Sequence, residues 1–288
     1  MIKRVARILC VLAWVVIIKT YAKNNPTLSN NPTTHRVVLG DDNQRYLCLA
    51  LLNTTEGAEQ GLNLIREAAK QGCNAVMITV RWDVVHETTS SPANWKQFDN
   101  QAQLCKELGL KIFFRVHLAR CCNRSEGFWP ESEAAKDQEG RILTEIFSMS
   151  HQPSVDKALG FVKEVCERYL PYQQEGRVLC LAATTTTTQE AGYHYEGYTP
   201  NGSLGFGEPY QSLFDFSPSM VTGFREWLRA RYGDIKTLNN AWKSDYSDIS
   251  DIQPIKTNYD HPENKRWADW YVYRHTMLKN FLDGVSRT

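Results

Sequence analysis

The chain has 288 residues, 42% of them hydrophobic and 23% charged, and its 33 Lys and Arg against 32 Asp and Glu leave a net charge of +1. That balance excludes a protein held to nucleic acid or to an anionic membrane by its own charge. The apolar share is that of a globular chain long enough to bury a substantial core.

Lys3, Arg4 and Arg7 precede an apolar run from Ile8 to Ile18, which closes on Thr20-Tyr21-Ala22. A basic start, a short apolar stretch and a small residue at its end describe a secretory signal peptide, cleaved after Ala22. The run is too short for a membrane span. Residues 1–22 are therefore read as signal peptide, 23–44 as a polar linker and 45–288 as the folded domain. The expected location is secreted or periplasmic, with anchoring through an uncleaved N-terminal segment as the alternative.

From Arg45 to Leu52 the residues are nearly all apolar and predict a strand. Glu56 to Gln71 carries Ala58, Leu62, Ile65 and Ala69 on one stripe and predicts a helix closed by Gly72. Asn74 to Val80 is the second strand, leaving through Arg81-Trp82-Asp83 into a loop that reaches Trp95. A helix beginning near Asn94 uses Phe98, Ala102, Leu104, Cys105 and Leu108, and stops at Gly109. Lys111 to His117 is the third strand. Asn123 to Gln152 reads as a long insertion with a short helix, and Pro153 to about Tyr169 as a helix. Arg177 to Thr185 is the fourth strand, and the threonine ladder from Thr184 to Thr188 favours extended backbone because β-branched side chains lose χ1 freedom in a helix.

A glycine- and tyrosine-rich loop follows to about Phe216. Ser217-Pro218-Ser219 caps a helix from Met220 to Tyr232, closed by Gly233. Short helical pieces lie between Ile235 and Trp242, and a last amphipathic helix runs from about Pro262. Apolar strands alternating with helices mean βα units and a parallel sheet. The expected fold is α/β, of the TIM (β/α)8-barrel type, with only the first four to five βα units represented. An open half-barrel leaves strand edges unpaired, so a homo-oligomer is among the expected partners.

Eight cysteines give little chemistry. Cys48 and Cys180 in strands, and Cys105 and Cys166 on helices, read as small buried hydrophobes. Cys121-Cys122 has no accompanying CxxC, so no thiol metal site is expected. No phosphate loop, zincin motif, calcium loop or nucleophile elbow is present, and no cofactor or metal is expected.

The strongest chemical candidate is Glu190, which follows the fourth strand beside Gln189 and before Tyr193 and Tyr195. Trp82 stands at the end of strand two, where an aromatic ring can serve as a stacking surface. Arg115 and His117 alternate along strand three and share a face at its end, where they suit hydrogen bonding to a polar ligand. Asp83, Glu87 and Glu196 are further carboxylates near the strand ends.

Three stretches carry a family resemblance. They are Asn74-Ala75-Val76 through Arg81-Trp82-Asp83-Val84-Val85-His86-Glu87 with Trp95 and Phe98-Asp99, then Gly109 to His117, and finally Phe224-Arg225-Glu226-Trp227 through Tyr232-Gly233 to Leu238-Asn239-Asn240-Ala241-Trp242. The chain resembles the beta-galactosidases of glycoside hydrolase family 42, whose catalytic domain is a TIM barrel. The resemblance implies a hydrolase of beta-galactosides or related beta-linked sugars, working by the retaining mechanism with Glu190 as general acid/base. It makes Gln189, Trp82, Arg115, His117, Tyr193 and Tyr195 substrate-binding candidates, and carbohydrate the partner. The family usually has Asn where this chain has Gln189. Its nucleophile is a second glutamate after strand seven, to which no residue here corresponds. The chain alone is therefore expected to be inactive, and the alternative is a noncatalytic carbohydrate-binding protein or a truncated glycosidase remnant.

Overall fold

The computed structural model describes residues 45–51, 58–120, 127–137, 139–186, 191–193, 215–256 and 264–288. Its elements in chain order are β1 (Cys48–Leu51), α1 (Ala58–Lys70), β2 (Ala75–Arg81), α2 (Trp82–Val85), α3 (Lys96–Glu107), β3 (Lys111–His117), β4 (Ala134–Lys136), β5 (Ile142–Phe147), α4 (Gln152–Gln174), β6 (Val178–Thr184), α5 (Pro218–Tyr232), α6 (Ile235–Trp242) and α7 (Lys265–Arg287). The signal segment and linker, residues 1–44, lie outside the described residues. Among the described residues no helix is long and apolar enough to cross a membrane.

Four strands form one sheet in the order β1-β2-β3-β6. β1 runs parallel to β2, with Cys48 opposite Ala75 and Leu51 opposite Ile78. The remaining strands keep that direction: near their starts Lys111 N–H bonds the Asn74 carbonyl and Ile112 N–H the Arg177 carbonyl. One face of the sheet is wholly apolar, with Val76, Ile78, Ile112 and Phe114 at most 1% exposed. The other carries Thr79, Arg81, Arg115, His117 and Thr184, as strict alternation requires. A four-stranded parallel α/β sheet is thus present, as expected.

The chain divides into two compact units. The first holds β1, α1, α3, the end of α4 and the larger parts of β2, β3 and β6. There Ile65 of α1 and Phe98, Ala102 and Cys105 of α3 are fully buried. Asn74 ties the start of the sheet by accepting from Leu47 N–H at 2.8 Å and donating to the Arg45 carbonyl at 2.9 Å. Cys180 departs from its sequence reading. It is exposed.

The second unit holds the C-terminal ends of the strands, α2, the β4–β5 hairpin, most of α4, and α5 to α7. Its main core joins Met220, Phe224, Leu228, Leu238, Ile249, Ile252, Trp270 and Tyr273. The stretch after residue 126, expected to be a long insertion with a short helix, holds a 3₁₀ helix (Glu131–Glu133) and also the antiparallel β4–β5 hairpin, which was not expected. Asp137 explains the hairpin: its carboxylate accepts from the Glu139 and Arg141 N–H groups at 3.0 and 2.7 Å and pairs with the Arg141 guanidinium. Gly140 supplies the positive φ of 85° that the turn needs. The loop after β2 likewise begins with the short helix α2.

Candidate functional site

β2, β3 and β6 end in Arg81, His117 and Thr184, and each terminal side chain is buried. Apolar neighbours on alternate positions lock each strand onto the helices, so the polar residues between them are committed to the opposite face. Leu118 N–H bonds the Thr184 carbonyl at 3.0 Å and holds the ends of β3 and β6 level.

His117 has no solvent exposure, and its Nδ1 lies 3.1 Å from the Thr184 hydroxyl. That hydroxyl donates to the Val116 carbonyl at 3.4 Å. With its one proton so used, Thr184 is left to accept from the His117 ring. Arg115 lies one pleat back, in the first unit. Its Nε and Nη2 donate to the Thr79 hydroxyl at 3.1 and 2.7 Å, and Thr79 donates to the Leu51 carbonyl at 2.7 Å.

Arg81 and Asp83 form a buried bidentate pair, with Nε–Oδ1 at 3.0 Å and Nη2–Oδ2 at 2.6 Å. Asp83 is therefore spoken for by a guanidinium. Arg120 donates Nη2 to the Glu87 carbonyl at 2.8 Å and lies 3.5 Å from the centroid of the Phe128 ring. Burial lowers its guanidinium to about 10, against the opposing effect of Asp83. Sequence reasoning passed over Arg120; its one signal was a position three residues beyond the end of strand three.

Trp82 is 3% exposed. Its ring stacks on Phe161 at 5.5 Å and 10°, and meets Phe128 edge-on at 5.2 Å. It thus forms the aromatic floor beneath the strand ends and presents no open face for stacking. Tyr193 is also packed inward: its hydroxyl donates to the Arg274 carbonyl at 2.7 Å, and the Arg274 guanidinium lies 4.4 Å from its ring centroid. Burial raises its phenol well above the ordinary tyrosine range. Gly192 is clamped to Thr185, whose hydroxyl donates to its carbonyl at 2.7 Å and accepts from its N–H at 3.1 Å. Glu190, Gln189 and Tyr195 lie outside the described residues, as does Glu196. Among the described residues no group of three or more His, Cys, Asp or Glu side chains could hold a metal ion.

Residues 208–287 match the profile of glycoside hydrolase family 42, beta-galactosidase. The chain has the fold of the TIM-barrel glycosidases. The catalytic domain of the beta-amylase from Paenibacillus polymyxa superposes with a TM-score of 0.69 at 16% identity, covering 82% of this chain and 60% of that one. The beta-galactosidase from Marinomonas ef1 superposes with a TM-score of 0.54 at 17% identity, covering 82% and 34%. In sequence, the beta-amylase of Cytobacillus firmus is 22% identical over 259 residues, covering 83% of this chain and 54% of its own length. The chain spans about half the length of the curated relatives it matches. At these identities the solved structures establish the glycosidase-barrel fold, and the family 42 similarity rests on α5, α6 and α7.

Proposed function

We propose that this chain is part of a glycoside hydrolase acting on beta-galactosides or related beta-linked sugars. In this reading Glu190 is the general acid/base of a retaining mechanism and protonates the glycosidic oxygen. A second carboxylate, about 5–5.5 Å away, attacks the anomeric carbon. No residue matched by the resemblance supplies that nucleophile, so the 288-residue chain by itself is expected to bind sugar without turning it over. The supporting observation is the family 42 match over residues 208–287, directly after the segment that carries Glu190. In this reading His117, hydrogen-bonded to Thr184 at the end of β3, belongs to the polar set at the strand ends that faces the sugar. The alternative is a noncatalytic carbohydrate-binding protein. We place the mature chain outside the cytoplasm, following the reading of residues 1–22.

The experiment pairs calorimetric titration of a non-hydrolysable thiogalactoside with an assay of a chromogenic β-galactoside, on the 288-residue chain and on Glu190→Gln. Binding without turnover in both is the expected result. Turnover abolished by Glu190→Gln would prove the acid/base role and overturn the expectation of an inactive chain. Failure to bind any β-linked sugar, with binding of a beta-amylase substrate instead, would sink the galactoside reading.

A further inference from the structure

Trp270 and Arg274 sit four residues apart on the inner side of α7, one turn above the other. Both are buried, at 2% and 6% exposure. Among the described residues neither the indole Nε1–H of Trp270 nor the Nε–H of Arg274 has a hydrogen-bond acceptor. The guanidinium lies 4.4 Å from the Tyr193 ring centroid and 5.9 Å from that of Trp270. Ring faces attract a cation but do not accept from its N–H groups in the plane of the fork.

Asp215 is the carboxylate whose field reaches Arg274. Its oxygens are already used. Oδ1 accepts from Ser217 N–H at 2.7 Å and Lys136 N–H at 3.3 Å, Oδ2 accepts from the Ser217 hydroxyl at 2.9 Å, and the Ser148 side chain also bonds the carboxylate. The Arg274 carbonyl is taken by Tyr193. What remains is a buried guanidinium and, one helical turn apart, the Nε–H of Arg274 and the Nε1–H of Trp270, neither with an acceptor among the described residues. Such groups are costly to bury unpaired.

We propose that Trp270 and Arg274 hold a small inorganic anion of chloride size. A spherical ion accepts from two N–H groups without demanding a plane, and supplies the countercharge that Asp215 gives only at a distance. The aromatic surroundings favour a compact, weakly hydrated ion: the Trp270 ring packs on Phe216, Phe224 and Tyr273 at centroid distances of 5.4, 4.9 and 6.0 Å. The bound ion would fasten α7 beside Tyr193, and this holds whether or not the chain is a glycosidase.

The test follows chloride-35 line broadening in the presence of the whole 288-residue chain, with bromide as competitor. Alongside it, thermal unfolding is measured in sodium chloride and in sodium gluconate at matched ionic strength. The expected result is broadening that bromide reverses, with a saturable rise in Tm of about 5 °C at a hundred times the dissociation constant and none in gluconate. Trp270→Phe, which keeps an aromatic body and removes the N–H, should weaken chloride binding about tenfold. Arg274→Gln should abolish it. Equal effects of chloride and gluconate, or bromide-sensitive broadening unchanged in Trp270→Phe, would overturn the proposal. The wild-type and Trp270→Phe measurements decide it even if Arg274→Gln does not fold.

Discussion

The indole N–H of Trp242 donates to the Asp269 carboxylate across 2.8 Å. The same oxygen of Asp269 accepts from the Tyr232 hydroxyl, and Arg231 Nε lies 3.3 Å from the other oxygen. One carboxylate, 1% exposed, therefore gathers the end of α5, the end of α6 and the start of α7. This gives physical content to the run from Tyr232 to Trp242 on which the family resemblance leans. Tyr232 and Trp242 provide the two donors, Gly233 the positive φ of 77° that ends α5, Asp234 the cap of α6, and Leu238 the buried contact. The segment most specific to that resemblance is a device of packing.

Replacing Asp269 by Ala strands both donors in a largely buried place. Unfolding in urea should show a loss of roughly 2–4 kcal/mol. Trp242→Phe, which leaves the carboxylate two other partners, should cost only about 1 kcal/mol. Equal losses for the two would mean that Asp269 is no hub.

Gly223 makes a second prediction, in the opposite sense to helix propensity. It lies within α5, where alanine would ordinarily stabilise by about 1 kcal/mol. A Cβ at that position would collide with the Tyr273 hydroxyl, which is hydrogen-bonded to Ser150 at 3.0 Å. Tyr273 is itself buried and cannot swing away. Gly223→Ala should therefore destabilise by about 1–3 kcal/mol. Adding Tyr273→Phe should recover part of that loss, and a more stable Gly223→Ala single variant would refute the close approach.

How far the sequence carries depends on where the determining contact lies. β2, β3 and α4 were legible because their signals are local: continuous apolar runs, and a 3.6-residue stripe through Ala158, Phe161, Val162 and Val165. The β4–β5 hairpin was not, because its strands are short and its turn depends on one buried aspartate, Asp137, in a segment that reads as merely charged. At the candidate site, the position of His117 at a strand end was legible. Its partner was not, since Thr184 arrives from another strand 67 residues away. Arg274 shows the same limit. Its helix was legible as amphipathic, but only the fold puts Tyr193 over the guanidinium. Trp82 is the converse: a Trp at a strand end suggests a sugar platform until Phe128 and Phe161 are seen packed against it.

The Arg81–Asp83 pair bears directly on that site. Both side chains are at most 5% exposed, so neither charge retains its water. Asp83→Ala would leave a buried guanidinium without its bidentate partner, at a cost of about 3–5 kcal/mol. The double replacement Arg81→Met, Asp83→Leu removes both charges and should restore most of the loss. A double-mutant cycle in urea measures the coupling. Additive losses would show that the pair contributes no interaction of its own.

Asp215 gives the chain a pH dependence opposite to that of a salt-bridged carboxylate. Full burial raises its proton affinity, and the hydrogen bonds from Ser148, Ser217 and Lys136 only partly offset that rise. Between the unfolded value, near 3.8, and the higher folded value, the native state holds more protons than the unfolded one. Stability then falls as pH rises through that window and levels off above it. Asp215→Asn cannot titrate, so its stability relative to the natural chain should improve steadily from about pH 4 upward and then become constant. Chemical denaturation of both proteins across this range isolates the effect from every group they share. A difference independent of pH, or one that moves the other way, would mean that the hydrogen bonds to Asp215 outweigh its burial.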